Sequence, residues 1–133
     1  MEGTDTMTPY DMLLEFHTKF GAAIDQPFTR ELIDLRYNLI NEEALEVEDE
    51  LYPGSNSTAD IDRKNLTKEL ADLMYVVIGT AVTFGLPLRE VFEETHKSNM
   101  SKLGPDGKPI LRSDGKILKG ENYHEPNIDR YFS

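Results

Sequence analysis

Residues 39–50 read LINEEALEVEDE and residues 68–76 read KELADLMYV. In each stretch two acids stand three apart, Glu43 with Glu46 and Glu69 with Asp72. On a helix that spacing puts both carboxylates on one face, so each pair can grip a cation jointly. At ~100° per residue, Glu43 and Glu46 fall with Leu32, Leu39, Ile40 and Val47 on the side expected to be core, while Glu48 and Asp49 fall opposite. A carboxylate among apolar side chains is costly unless it is paired or bound to metal. The placement asks for a cation between two helices.

The surrounding chain reads as helices with clear punctuation. Thr8-Pro9 with Asp11 is an N-cap and first-turn signal, predicting a helix to about Ala23 that carries Tyr10, Leu13, Leu14, His17, Phe20 and Ile24 on one stripe. A second helix is expected from about Thr29 to Tyr52, stopped by Pro53-Gly54, and the polar segment 53–59 is a loop. A third runs from about Ile61 to Phe84 and stops at Gly85; a fourth restarts with Pro87 in its first turn and ends near Leu103, before Gly104-Pro105. The third helix is apolar nearly all round, with Leu66, Leu73 and Val76 beside the acids and Met74, Ile78 and Val82 on the far side. Such a helix has to be covered nearly all round, and in a short chain the expected cover is a second subunit. Asp114-Gly115, between Ile110-Leu111 and Ile117-Leu118, predicts a hairpin with a two-residue turn. The last stretch, from Glu121, has no period and is expected to wrap a neighbour or fray.

Composition narrows the class. A chain of 133 residues with 38% hydrophobic content suits one globular domain, here residues 1–133 with a helical core at about 8–103 and a hairpin and tail at 104–133. The net charge of −11 argues against nucleic acid or an anionic membrane as partner. Without cysteine there is neither a disulfide framework nor a thiolate metal site. Residues 1–7 carry no signal-peptide pattern, and the longest uncharged run, Leu73 to Leu88, is short of the ~20 residues of a membrane span. The expected location is the cytoplasm. Charge is also segregated. Residues 42–50 hold six acids, whereas 97–119 hold six basic residues against Asp106 and Asp114. That split suggests metal at one segment and phosphate at the other, with ordinary surface charge as the alternative for the basic segment.

Two carboxylate pairs without cysteine or a His pattern form a hard-oxygen ligand set, which selects Mg²⁺ or Mn²⁺ over zinc or copper. Mg²⁺ in such sites bridges carboxylates to substrate phosphates. Asn99 and Lys102, three apart on the fourth helix, offer an amide and an ammonium suited to phosphate oxygens. His17 reads as a core histidine or as a contact to the nucleobase. Glu93 and His96 form one ExxH pair, but a di-iron bundle needs two, and that reading is rejected.

With these residues in view, the chain resembles the all-α nucleoside triphosphate pyrophosphohydrolases, the superfamily of MazG-like proteins, dimeric dUTPases, dCTP pyrophosphatases and phosphoribosyl-ATP pyrophosphohydrolase. The likeness rests on Glu43-x-x-Glu46, Glu69-x-x-Asp72 and the segment 96–102, HKSNMSK, in that order and spacing, and spans roughly residues 10–127. Short single-domain MazG-like proteins are most similar. The resemblance implies an all-α, four-helix MazG-like bundle, here with a short C-terminal β-hairpin and extended tail. It implies cleavage of an NTP or dNTP to monophosphate and pyrophosphate with Mg²⁺, Mn²⁺ being possible. By position Glu43, Glu46, Glu69 and Asp72 would be metal ligands, Asn99 and Lys102 phosphate contacts, and Glu42 the group that activates water. A homodimer or homotetramer is expected. Two alternatives stay open: a non-enzymatic acidic module that binds a partner or cation, and a related enzyme for another diphosphate-linked substrate such as phosphoribosyl-ATP.

Overall fold

Side-chain caps at Thr8, Thr29 and Asp62 fix where three of the long helices begin. The structure, a computed structural model, describes residues 6–132. Four helices dominate it: α1 (Pro9–Phe20), α2 (Arg30–Leu51), α3 (Arg63–Phe84) and α4 (Leu88–Met100). One two-stranded sheet, β1 (Ile110–Leu111) with β2 (Ile117–Leu118), completes the regular elements apart from two short 3-10 turns. The expected all-α class holds. The chain divides into two compact units between Leu86 and Pro87.

The first unit is built on α3, against which both α1 and α2 pack. Thr8 and Asp11 form a reciprocal capping box at the start of α1. Gly21 ends that helix at φ 70, so it stops three residues earlier than the stripe predicts. Thr29 Oγ1 accepts from the Leu32 amide at the start of α2. Asp62 accepts from the amides of Lys64 and Asn65, which moves the start of α3 from the expected Ile61 to Arg63. Leu13, Ala81 and Val82 form the buried apolar core, each larger side chain contributing about 1.5–3 kcal/mol by leaving water. Three polar residues are buried with them: His17, Arg36 and Thr83.

Gly79 explains how the helices come so close. A Cβ there would lie 2.6 Å from Arg36 Nη2, 3.1 Å from His17 Nε2 and 3.4 Å from Leu13 Cδ1. Side chains of α1 and α2 therefore meet over the bare backbone of α3. The link between α1 and α2 folds back on the end of α3, with the Asp25 amide donating to Val82 O (3.0 Å) and the Gln26 amide to Thr83 O (2.8 Å). The far side of α3 is only partly covered: Val82 is fully buried, but Leu70 and Met74 stay 48% and 53% exposed.

In the second unit α4 ends at Met100, shorter than the expected Leu103, with Ser101 as its C-cap. The hairpin forms where the Asp-Gly signal puts it, pairing Ile110 with Leu118 and Leu111 with Ile117. Its loop differs from the expectation. Arg112 N donates to Lys116 O and Gly115 N to Arg112 O, so three residues, Ser113 to Gly115, make the connection. Gly115 at φ 89 is the left-handed residue that closes a turn of this length. The tail, expected to wrap or fray, docks instead on α4. Ser98 Oγ donates to His124 O (2.8 Å), and Arg130 Nη2 reaches Glu94 Oε2 (3.1 Å).

Candidate metal centre

The packing of α2 on α3 brings the two acidic pairs together. Arg36 meets Val76 and Thr80 while Glu46 meets Glu69, so the helices run antiparallel and the two pairs fall opposite each other. Glu43, Glu46, Glu69 and Asp72 each offer an oxygen, and the four atoms lie within 4.8 Å of one another. Glu43, Glu69 and Asp72 are half-buried. Glu46 is exposed, which corrects the expectation that it faces the core. Glu43 Oε2 is buried with no hydrogen-bond partner. An unmade bond at a buried carboxylate oxygen is costly, and a cation is what would relieve it.

The electrostatics agree. The Glu69 carboxyl sits above its ordinary pKa, first because of its hydrogen bond with Glu46, then because of burial and the charge of Glu46. Like charges this close favour a shared proton when no cation is present. Lys68 supplies a partial substitute: its ammonium lies 2.5 Å from Asp72 Oδ2 and 3.5 Å from Glu69 Oε1. Those contacts, led by the Asp72 hydrogen bond, raise the pKa of Lys68 above its ordinary value. An oxygen-only cluster of this kind matches a hard divalent cation such as Mg²⁺.

The other sequence candidates are not part of this cluster. Glu42, beside Glu43 in the chain, is exposed and outside the four. His17 is 2% exposed and its Nδ1 lies 2.9 Å from Ala23 O, so Nδ1 donates to that carbonyl while Nε2 lies toward Gly79. It is a core histidine that fastens the segment after α1. Asn99 is exposed and Lys102 half-buried in the second unit, where Lys102 O accepts the Gly120 amide (3.0 Å). Sequence reasoning passed over Lys68 and Arg36. The first was signalled by its i,i+4 spacing to Asp72. The second stands seven residues before Glu43, on the same helical face.

The sequence profile of the phosphoribosyl-ATP pyrophosphohydrolase family matches residues 13–99, which include all four acids. No curated protein matches. Among solved structures, one from Exiguobacterium sp. 255-15, provisionally named an NTP pyrophosphohydrolase, is similar at 25% identity. The likeness covers 93% of this chain and 92% of that one, with a TM-score of 0.46.

Proposed function

Because the chain belongs to the phosphoribosyl-ATP pyrophosphohydrolase family, we propose that it cleaves a nucleoside or deoxynucleoside triphosphate between the α and β phosphates, giving monophosphate and pyrophosphate. The observation that carries this reading is the convergence of four carboxylates, one with a buried oxygen lacking any partner. Glu43, Glu46, Glu69 and Asp72 would hold Mg²⁺, with Mn²⁺ as the alternative. When bound, the ion offsets phosphate charge and acidifies water. Glu42, exposed beside the cluster, is assigned to accept the proton of the attacking water. Asn99 and Lys102 are assigned to phosphate oxygens on the chemistry of an amide and an ammonium. His17 is assigned to the wall beside the nucleobase, with a purely core role, holding Ala23, as the alternative. We also assign a second copy of the chain to the exposed part of α3 around Leu70 and Met74, giving a homodimer or homotetramer. The cluster rather than covalent chemistry supplies the catalysis, by positioning and charge stabilisation.

A second reading, favoured by the family profile itself, is that the substrate is phosphoribosyl-ATP. One assay separates the two: the protein with Mg²⁺ is given each NTP and dNTP, and phosphoribosyl-ATP, while pyrophosphate and orthophosphate are followed. Pyrophosphate from a triphosphate supports the first reading, and from phosphoribosyl-ATP alone the second. Orthophosphate without pyrophosphate would mean that another bond is broken and would sink both.

A further inference from the structure

Arg36 is a buried cation with no anion. It is 8% exposed, and burial alone holds its pKa below the ordinary guanidinium value. Nε donates to Thr80 Oγ1 (3.0 Å) and Nη2 to Val76 O (2.9 Å). A guanidinium carries five N–H donors and stays charged; two are bonded within the chain, and the other three are left to the open space the side chain lines. Among the described residues no carboxylate pairs with it. Burying a charge without a counter-charge is costly, and proteins retain such a group where something else brings the acceptor.

The group faces a space that could admit one. Arg36 lines a cavity of about 670 Å³ with residues 21–24, Gln26, Leu32 and Thr83. This cavity lies within the first unit, formed by the segment after α1 and the facing ends of α2 and α3. Arg36 and Glu43 are seven residues apart on α2, so they share a face and are separated by about 10.5 Å along the axis. That is the scale of the reach from the phosphates of an extended nucleotide to its base. His17 Nε2 points at the same Gly79 backbone that Arg36 Nη2 approaches, so the floor of this layer is fixed by side chains from two helices.

We propose that this cavity receives the nucleotide base and that Arg36 selects bases with an oxo group, the 4-oxopyrimidines and 6-oxopurines, over their amino counterparts. The proposal rests on the triphosphate reading of the acidic cluster and names the base that reading leaves open. The logic is donor against acceptor. Arg36 can only donate, so a carbonyl oxygen completes its bonds, whereas an exocyclic amino group points N–H at N–H and leaves both unsatisfied. Sites that hydrogen-bond a substrate group reject analogues lacking it much more strongly than apolar pockets reject a missing methylene.

The test compares substrates that differ at one substituent. UTP against CTP and ITP against ATP are assayed for kcat/KM with Mg²⁺, in the wild type and in Arg36→Met, which keeps much of the stem and removes every donor. The wild type is expected to favour the oxo member of each pair by roughly tenfold or more, and Arg36→Met to bring both ratios near unity. Because Arg36 also ties α2 to α3, Gln26→Trp serves as the second variant. It narrows the cavity while leaving the Thr80 and Val76 bonds in place, and should raise KM for every nucleotide. Binding of uridine and cytidine alone, without phosphate or metal, judges the cavity separately from turnover. Uridine should bind the wild type more tightly and lose that advantage in Arg36→Met. Equal turnover within both pairs, with pyrophosphate still released, would overturn the base assignment and leave the hydrolase reading standing. Absence of pyrophosphate from all substrates, with uridine still preferred over cytidine, would do the reverse. Equal affinity for the two nucleosides overturns the proposal whatever the assay of turnover gives.

Discussion

Replacing Gly79 by alanine sets two opposite effects against each other. In the interior of an exposed helix the change would stabilise by roughly 1 kcal/mol, through reduced backbone entropy in the unfolded chain. Here the new methyl would stand 2.6 Å from Arg36 Nη2 and 3.1 Å from His17 Nε2. The first distance is far inside van der Waals contact, and the guanidinium is held by Thr80 and Val76, so it cannot swing aside without breaking a bond. Losing one hydrogen bond of a charged donor costs about 1.5–3 kcal/mol, and crowding a packed site adds about 1–3 kcal/mol. Subtracting the propensity gain from the hydrogen-bond loss alone leaves a net destabilisation of about 0.5–2 kcal/mol. For a chain of this size that is a fall in Tm of roughly 2–8 °C. The assay is urea unfolding of both proteins followed by far-UV circular dichroism, at one protein concentration and one Mg²⁺ concentration. A midpoint shifted down with the slope unchanged is the expected result. A Gly79→Ala protein more stable than wild type would mean that Arg36 is loosely held there, and the close meeting of α1 and α2 over α3 would be refuted.

Other consequences separate the parts of the molecule. Mg²⁺ at about 100 times its Kd should stabilise the wild type by roughly 2.7 kcal/mol, and Glu43→Gln should abolish that shift in thermal unfolding. Glu46→Gln relieves the like-charge contact that raises Glu69, so the metal-free variant should melt higher than wild type. Its kcat/KM should nonetheless drop by at least about 100-fold, the scale on which loss of positioned charge is felt. A Cβ on Gly120 would lie 2.5 Å from Leu103 O and 2.9 Å from Lys102 O. Gly120→Ala should thus displace Lys102 and cut turnover by about tenfold or more, while isothermal titration shows Mg²⁺ binding unchanged. Glu94 lies below its ordinary pKa because of its hydrogen bond to Lys97, helped by the charges of Lys97 and Arg130. A depressed carboxylate stabilises above its unfolded pKa and loses that contribution as pH falls through the folded value. The docked tail should therefore be protected from proteolysis at neutral pH and released on acidification below the glutamate range, and Glu94→Gln should release it at both.

The parts of this fold that could be read from sequence are those decided within one or two helical turns. Thr8, Pro9 and Asp11 announce the start of α1, and Gly85 announces the end of α3, because caps are local chemistry. The four acids of the cluster were legible for the same reason: i,i+3 spacing fixes a shared face before any packing is known. Glu46 was misread as inward-facing because a helical wheel gives a direction but not the width of the face that a neighbour covers. The hairpin was located correctly and its loop misjudged, since Asp-Gly serves equally as a two-residue turn or as the end of a three-residue one. What could not be read depends on distant partners. The tail is held by Ser98 with His124 and by Glu94 with Arg130, and neither pair has a local signature. Arg36 looks like a solvated charge until Gly79, from another helix, is found to make room for it.

These long-range features meet on one helix. Asp72, Val76 and Thr80 recur every four residues along α3, a row that keeps nearly to one face. The first member belongs to the carboxylate cluster, and the other two accept from Arg36. On α2 the matching row is Arg36 and Glu43. The same pair of helices thus holds an excess of negative charge at one level and an uncompensated positive charge one to two turns away. Neither level is saturated alone: the first has a buried oxygen without a partner, and the second has a guanidinium with two of its five donors bonded within the chain and the rest open to the cavity. A ligand that brings cations to one and oxygen acceptors to the other relieves both at once. A metal-complexed nucleotide has that composition, and no rearrangement of the helices by themselves would supply it.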